Sequence, residues 1–399
     1  VGPVVTIARL MRVHASLAGA ESAGLASEVA GFAQLRADVL DALQPSATEE
    51  QMARVAELAE GALGKSLRSY DAIGLCFPDV VVRNRVVGGE VPKTQGMRRN
   101  AARDFEEQFS QLTDLNVKLE ALCREGGVVM NTNDGPMAAF TAAVEIAASP
   151  TPELGRDGVF AHTLGTDLGT GLTLADGSIP EIPLEVYNLI LDLGSATARD
   201  LPPEDLRSLA NTNTGIPGTP QKLASQAAAF RIADAFLSEA RLDLMSEIER
   251  RGFVVEDGPS RNGAAGLLRR VPESPVDQRK PYLAYLMELA GTEKEVAEVF
   301  RVIGEYMAVV YEETEHILST GLRQRFLFGR FVKVARCFEL MQEGAIRRRP
   351  ELAFVAADSD MAYTPLMQAL DADPHYTVAQ LGQAVGAVYF ANLGLLGRA

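Results

Sequence analysis

The sequence predicts an α/β protein of two lobes with a large helical insertion, and three observations lead there. Between 128 and 177 short apolar runs and one helical stretch follow in the order β-α-β-turn-β, with polar turns at the strand ends where ligands collect. From Glu185 to Ser319 nearly every stretch reads as helix, broken by Pro202-Pro203, Pro217, Pro220 and a Gly258–Gly266 loop that reads as mobile. The 399 residues also exceed what one hydrophobic core ordinarily organises. The expected division is an amino-terminal lobe over 1–150, with extra leading helices, and a second lobe over 151–399 that carries the insertion over about 185–320.

Taken in order, Thr6–Leu43 has apolar residues at three- and four-residue steps and is helical. Thr48, with Gln51 three residues on, is a capping box that opens a second helix. Asp71–Phe77, closed by Pro78, is a strand, and Val80–Val82 and Val86-Val87 flank a polar Arg83-Asn84-Arg85 turn as a hairpin. After Gly88-Gly89 a loop from Glu90 to Met97 leads into a helix over about 98–123. The strand Val128–Met130 follows, with Asn131–Gly135 at its carboxyl end. Pro136 suits the first turn of the next helix, where its missing N–H costs nothing, and Ala138, Ala139, Ala142 and Ala143 allow close packing on a sheet. Val159–Leu164 and Leu172–Leu174 are strands, and Asp176-Gly177 is a tight turn. Beyond the insertion come a long helix over about 293–318, a strand Arg325–Phe328 ended by Gly329, and a helix near 332–343. A strand at Leu352–Val355 and a Gly/Ala-rich helix Val378–Leu393 close the chain.

Composition narrows the function. A net charge of −15 disfavours general nucleic-acid binding, because phosphate backbones attract basic surfaces, and its spread along helices reads as solvation. Cys76, Cys123 and Cys337 are far apart in apolar settings without Cys-x-x-Cys spacing, which reads as reduced thiols and no zinc site. The first residues lack a signal-peptide layout, and no run reaches the roughly 18–20 apolar residues that span a bilayer. A soluble cytoplasmic protein with no membrane partner is the expectation.

Two stretches carry chemistry. Asp134, just beyond a buried strand and at a helix amino end, could take a hydroxyl proton during phosphoryl transfer, or could simply cap the helix. In Gly165–Gly171, glycines let backbone N–H groups face an anion and threonine hydroxyls add donors, although the same run also makes a plain β-turn. Asp167 suits phosphate only where it faces a metal ion or solvent. Among other residues, His14, His162, His316 and His375 lack metal-ligand spacing, and His162 reads as a satisfied core histidine. The polar run Asn211–Thr219 reads as an ordinary loop and Arg347-Arg348-Arg349 as a solvated helix end.

Read together, these stretches resemble a known family. Asn133-Asp134 before an alanine-rich helix, then Leu164-Gly165-Thr166-Asp167-Leu168-Gly169-Thr170-Gly171-Leu172 and Asp176-Gly177, resembles the ROK family of sugar kinases, glucokinase-like members of the actin/hexokinase/Hsp70 ATPase superfamily. Upstream, Ile73–Pro78 with Val86–Gly89 is similar to the family's Gly-x-x-x-Pro strand and its continuation. Downstream, Phe326–Gly329 and Leu381–Ala387 look like its adenosine-side glycine motif and final Gly-Ala helix. The likeness is collinear from about Asp71 to Leu393.

It implies an actin-like ATPase (ribonuclease H-like) two-lobe fold and ATP-dependent phosphorylation of a hexose or amino-sugar hydroxyl. ATP and Mg2+ would be the cofactors and a small sugar the partner, with a homodimer entertained as the assembly. By position, Asp134 would be the general base and Asn133 a sugar ligand. Gly165, Thr166, Asp167, Gly169, Thr170 and Gly171 would hold the phosphates, and Gly329 would line the adenosine pocket. The family's sugar-binding Gly-Glu-x-Gly-His segment is matched by Glu185 and Asn188, with Glu181 a competing placement. The loop Glu90–Met97, with Thr94 and Gln95, is where the family loop that contacts sugar would lie.

Departures accompany the likeness. The family's Asp-x-Gly-Gly-Thr phosphate hairpin and its Cys-x-Cys cluster are not in this sequence, and Arg330-Phe331 replace small residues beside the adenosine pocket, which would narrow it. A second class of function therefore stands beside the kinase: a sugar-binding or regulatory relative that no longer turns over.

Overall fold

In a computed structural model the described residues are 70–77, 79–87, 115–121, 123–165, 168–182, 184–193, 207, 209–211, 214–254, 274–275, 277–318, 324–357, 361–372 and 378–397. The leading helices, the Glu90–Met97 loop with Thr94 and Gln95, Thr166, Asp167 and the Gly258–Gly266 loop lie outside them. The elements run β1 (Tyr70–Phe77), β2 (Val81–Val82), β3 (Arg85–Val86), α1 (Leu115–Glu120), β4 (Cys123–Asn133), α2 (Asp134–Ala148), β5 (Val159–Leu164) and β6 (Leu168–Thr173). There follow α3 (Pro220–Leu223), α4 (Gln226–Ala240), α5 (Leu242–Arg250), α6 (Arg279–Leu289), α7 (Lys294–Leu318), β7 (Gln324–Gly329) and α8 (Ala335–Arg348). The last are β8 (Val355–Ala356), α9 (Pro365–Asp371) and α10 (Val378–Leu395). The chain is thus mixed α/β, with the expected helix-rich stretch in its second half.

Two compact units emerge. One takes its described residues from Val1–Pro152, Gly177–Pro183 and Ser359–Ala399; the other comprises Glu153–Asp176 and Leu184–Asp358. The chain first crosses between units after Pro152, and the segment Ser359–Ala399 belongs to the first unit. Packing explains the return: α10 lies so close to β1 that a Cβ on Gly74 would stand 1.7 Å from the Ala387 carbonyl oxygen.

In the first unit β1 and β4 pair in parallel, with Phe77 opposite Asn133. Cys123, expected at a helix end, instead starts β4. The register jumps from Tyr70↔Cys123 to Ala72↔Val128, and Gly126 at φ +77° takes the backbone conformation that absorbs the extra residues. The β2–β3 turn is tighter than expected, with only Arg83 (φ 48°) and Asn84 (φ 68°) outside the ladder, the left-handed pair that matches strand twist in a two-residue hairpin. Asn84 then docks the hairpin onto β4: its Nδ2 donates to the Val129 carbonyl at 2.6 Å and its Oδ1 accepts from Asn131 N.

In the second unit four strands lie in the order β6-β5-β7-β8, with β5/β6 antiparallel and the other pairs parallel. The fully buried face of α7, including Phe300, Ile303, Tyr306 and Tyr311, supplies the core beneath the sheet. Two boundaries differ from expectation. Leu352 and Phe354 bond to the Gln342 side chain (2.6 and 2.8 Å) instead of a strand ladder, so β8 starts only at Val355. Arg330–Lys333 forms a 3-10 turn ahead of α8, which therefore begins at Ala335. No helix among the described residues is long and apolar enough to cross a membrane.

Candidate functional site

Asp134 opens α2 directly after β4, at the carboxyl end of the parallel β1–β4 pair. It does not cap that helix. The cap is Asn133, whose Oδ1 accepts from Gly135 N at 3.0 Å while its Nδ2 donates to the Asp79 carbonyl at 2.7 Å. Asp79 is itself fully buried and accepts from Val80 N at 2.7 Å. From the other side, Gln383 on α10 donates to the Asp134 carbonyl at 2.7 Å. Asp134, half-buried, is therefore fixed through its backbone and its neighbour, while its carboxylate carries the negative charge that a helix amino end favours. Two of the supports, Asp79 and Gln383, were not among the residues singled out by sequence.

The glycine-rich stretch is a β5–β6 hairpin. β6 already begins at Leu168, so Gly169, Thr170 and Gly171 are strand residues opposite Thr163, His162 and Ala161 rather than part of a loop. Thr170 was expected to offer its hydroxyl to an anion. The structure turns it into the core instead: Thr170 is buried, and its Oγ1 lies 2.9 Å from His162 Nδ1. The glycines on either side remain bare backbone. Gly329 pairs with Leu164 across β5 and β7, which places it beside the hairpin, and α4 begins against the same corner, with Gln226 N donating to the Gly165 carbonyl at 2.9 Å. Phe331 follows two residues after Gly329. Its ring is buried edge-on against Phe300 at 5.9 Å, while Arg330 is exposed.

Glu185 and Asn188 lie on a 3-10 turn over Val186–Asn188, which they flank and end. Its geometry is set by Asn211, a residue read from sequence as part of an ordinary loop. Asn211 Nδ2 donates to the Tyr187 carbonyl (3.1 Å), to Asn188 Oδ1 (3.0 Å) and to Thr219 Oγ1 (3.3 Å). Asn211 Oδ1 in turn accepts from Thr214 N at 3.3 Å. Glu181, the competing placement, is exposed on the first unit and pairs with Arg83 at 3.3 Å. Asn133 and Asp134 thus belong to one unit, and the hairpin, Gly329, Glu185 and Asn188 to the other.

Comparison with known structures decides what these parts resemble. The chain matches the crystal structure of a ROK family glucokinase from Streptomyces griseus, determined with glucose and AMPPNP. The TM-score is 0.51 at 16% identity, over 88% of this chain and 90% of that one. Its fold is that of a ROK glucokinase. Other matches include the ROK hexokinase of Thermus thermophilus (TM-score 0.47, 17% identity, 87% and 86% covered) and a Balamuthia mandrillaris glucokinase in complex with glucose (0.46, 14%, 85% and 82%). No protein-family profile matches the sequence, and no curated protein does. At such identities the ROK likeness is one of fold.

On the hairpin Gly165 and Gly169 are partly exposed backbone without side chains, whereas Gly171 is buried opposite Ala161, and the amino end of α4 stands against Gly165. Among the described residues no group of three or more His, Cys, Asp or Glu is placed to hold a metal ion.

Proposed function

We propose that this chain is an ATP-dependent sugar kinase of the actin-like kind that phosphorylates a hexose or amino-sugar hydroxyl. The observation that carries the reading is the placement of Asp134. It stands at the carboxyl end of a parallel strand pair and in the first turn of α2, a position from which a carboxylate can accept a hydroxyl proton. The β5–β6 hairpin and Gly329 would hold the nucleotide, Glu185 and Asn188 the sugar, and bound magnesium would supply counter-charge to the phosphates. The Asn133 amide, engaged at both ends, orients the base and the sugar it would meet. ADP release with Mg-ATP across a panel of hexoses and amino-sugars tests the activity. Asp134→Asn should abolish turnover while leaving sugar affinity within about two-fold, since it removes the proton acceptor but keeps the shape. Full activity in Asp134→Asn sinks the mechanism.

One observation favours a second reading. Arg330 follows Gly329 on the exposed side, with Lys333 close enough to feel its charge, where the family carries small residues. A sugar-binding protein that no longer turns over would tolerate that cation pair. Calorimetry separates the readings: sugar binding without Mg-ATP turnover identifies the sensor, and turnover dismisses it.

A further inference from the structure

We propose that His162 is a positioning residue for the candidate phosphate hairpin, holding it in shape through Thr170. The inference rests on the nucleotide reading of that hairpin and assigns a role to a buried histidine that the reading leaves unused.

Three observations place it. His162 and Thr170 are direct cross-strand partners, and the Nδ1–Oγ1 distance of 2.9 Å ties the middle of β6 to β5. Thr170 stands between Gly169 and Gly171, and glycine inside a strand lacks the side chain that holds register, so this tie is the side-chain anchor between two permissive residues. The imidazole cannot swing away: it is fully buried, set edge-on to Phe160 (4.8 Å, 85°) and to Tyr311 of α7 (4.8 Å, 72°). Its Nε2 has no hydrogen-bond partner, so Nδ1 is the ring's one polar attachment and Thr170 its side-chain partner. Burial pushes the ring's pKa down to about 3, partly offset by the Gly169 backbone, so the tie is made by a neutral imidazole throughout the physiological range. The line of contact runs from α7 through Tyr311 and His162 to Thr170, and so to the backbone of its neighbours, the partly exposed Gly169 and the buried Gly171.

The test is AMPPNP and hexose affinity by calorimetry on the full chain carrying Thr170→Val, His162→Leu, the double change and His162→Asn. Asparagine keeps an amide where Nδ1 stands; leucine and valine keep shape without the bond. Thr170→Val and His162→Leu should each weaken AMPPNP roughly five- to ten-fold, the double variant no more than either alone, and His162→Asn less than about two-fold, with hexose affinity unchanged. A role confined to stability would instead lower the melting temperature of all three single variants and leave AMPPNP affinity alone, which overturns the inference. Unchanged AMPPNP affinity in Thr170→Val, the mildest change, overturns it as well. A wild-type chain that does not bind AMPPNP overturns the nucleotide reading and this inference together, so the two failures are distinct.

Discussion

Asn133 and Asp79 are joined across the carboxyl ends of β4 and β1: the Asn133 amide donates to the Asp79 carbonyl at 2.7 Å while its oxygen caps α2 through Gly135 N. Cap and cross-strand tie thus reside in one side chain, immediately before the candidate base. Asn133→Ala should lower stability by about 1–2 kcal/mol, the sum of a lost cap and a part-buried bond. Asn133→Asp keeps a good cap but cannot donate, so it should lose less stability. Chemical denaturation monitored in the first unit checks the order Asn133, then Asp, then Ala; equal stability of all three would contradict it.

Glu145 holds the chain where it re-enters the first unit. Its wholly buried carboxylate accepts from Tyr363 N (2.8 Å), Thr364 N (2.9 Å) and Thr364 Oγ1 (2.6 Å), and Thr364 then caps α9 through Met367 N. Removing the acceptor strands one buried amide, one part-buried amide and a buried hydroxyl. Glu145→Ala should therefore cost on the order of 3 kcal/mol or more, and Glu145→Gln less, since its amide oxygen still accepts. Hydrogen exchange at Tyr363 and Thr364 provides the readout, with loss of protection expected in Glu145→Ala.

Much of this was legible in the sequence because it is local. The strand before Asn133, the alanine-rich α2 and the β5 run follow from apolar spacing and a proline at a first turn, and the structure places all three. What was not legible depends on distant partners. Asn211 reads as loop because its three acceptors lie at Tyr187, Asn188 and Thr219. Thr170 reads as a phosphate donor because nothing local reveals that His162 faces it across the hairpin. Cys123 reads as helix because a strand that absorbs extra residues at Gly126 has no apolar period. Leu352–Phe354 has the apolar content of a strand, but the Gln342 side chain takes its backbone groups.

Gly329 should tolerate no side chain. Its φ is +105°, and a Cβ would stand 2.2 Å from the Leu164 carbonyl oxygen, on the backbone of the neighbouring strand. Gly215 has a similar φ of +72° but open space around it. Gly215→Ala should thus cost only the conformational strain, about 1 kcal/mol, whereas Gly329→Ala adds displacement of β5 beside the phosphate hairpin. Thermal unfolding of the two variants, with AMPPNP affinity alongside, provides the comparison. Equal effects would mean that the close approach at Leu164 does not constrain the site.

His162 should make the second unit acid-sensitive in a window distinct from that of the surface carboxylates. Unfolded, its imidazole protonates near 6.5; folded, burial lowers that value to about 3. Between those limits the unfolded chain binds the extra proton, so the stability contribution is complete above about 6.5 and declines as pH falls from 6.5 towards 3. The slope from one such group cannot exceed about 1.4 kcal/mol per pH unit. Exposed Asp243, held down from 3.8 to about 2 by Arg241, acts in the same direction but only below 3.8. Denaturant unfolding at pH 7, 6, 5 and 4.5 should therefore show wild-type stability falling while His162→Asn, lacking the titrating ring, stays flatter. Parallel profiles for the two proteins across that window would show that the His162 ring is not held neutral by burial.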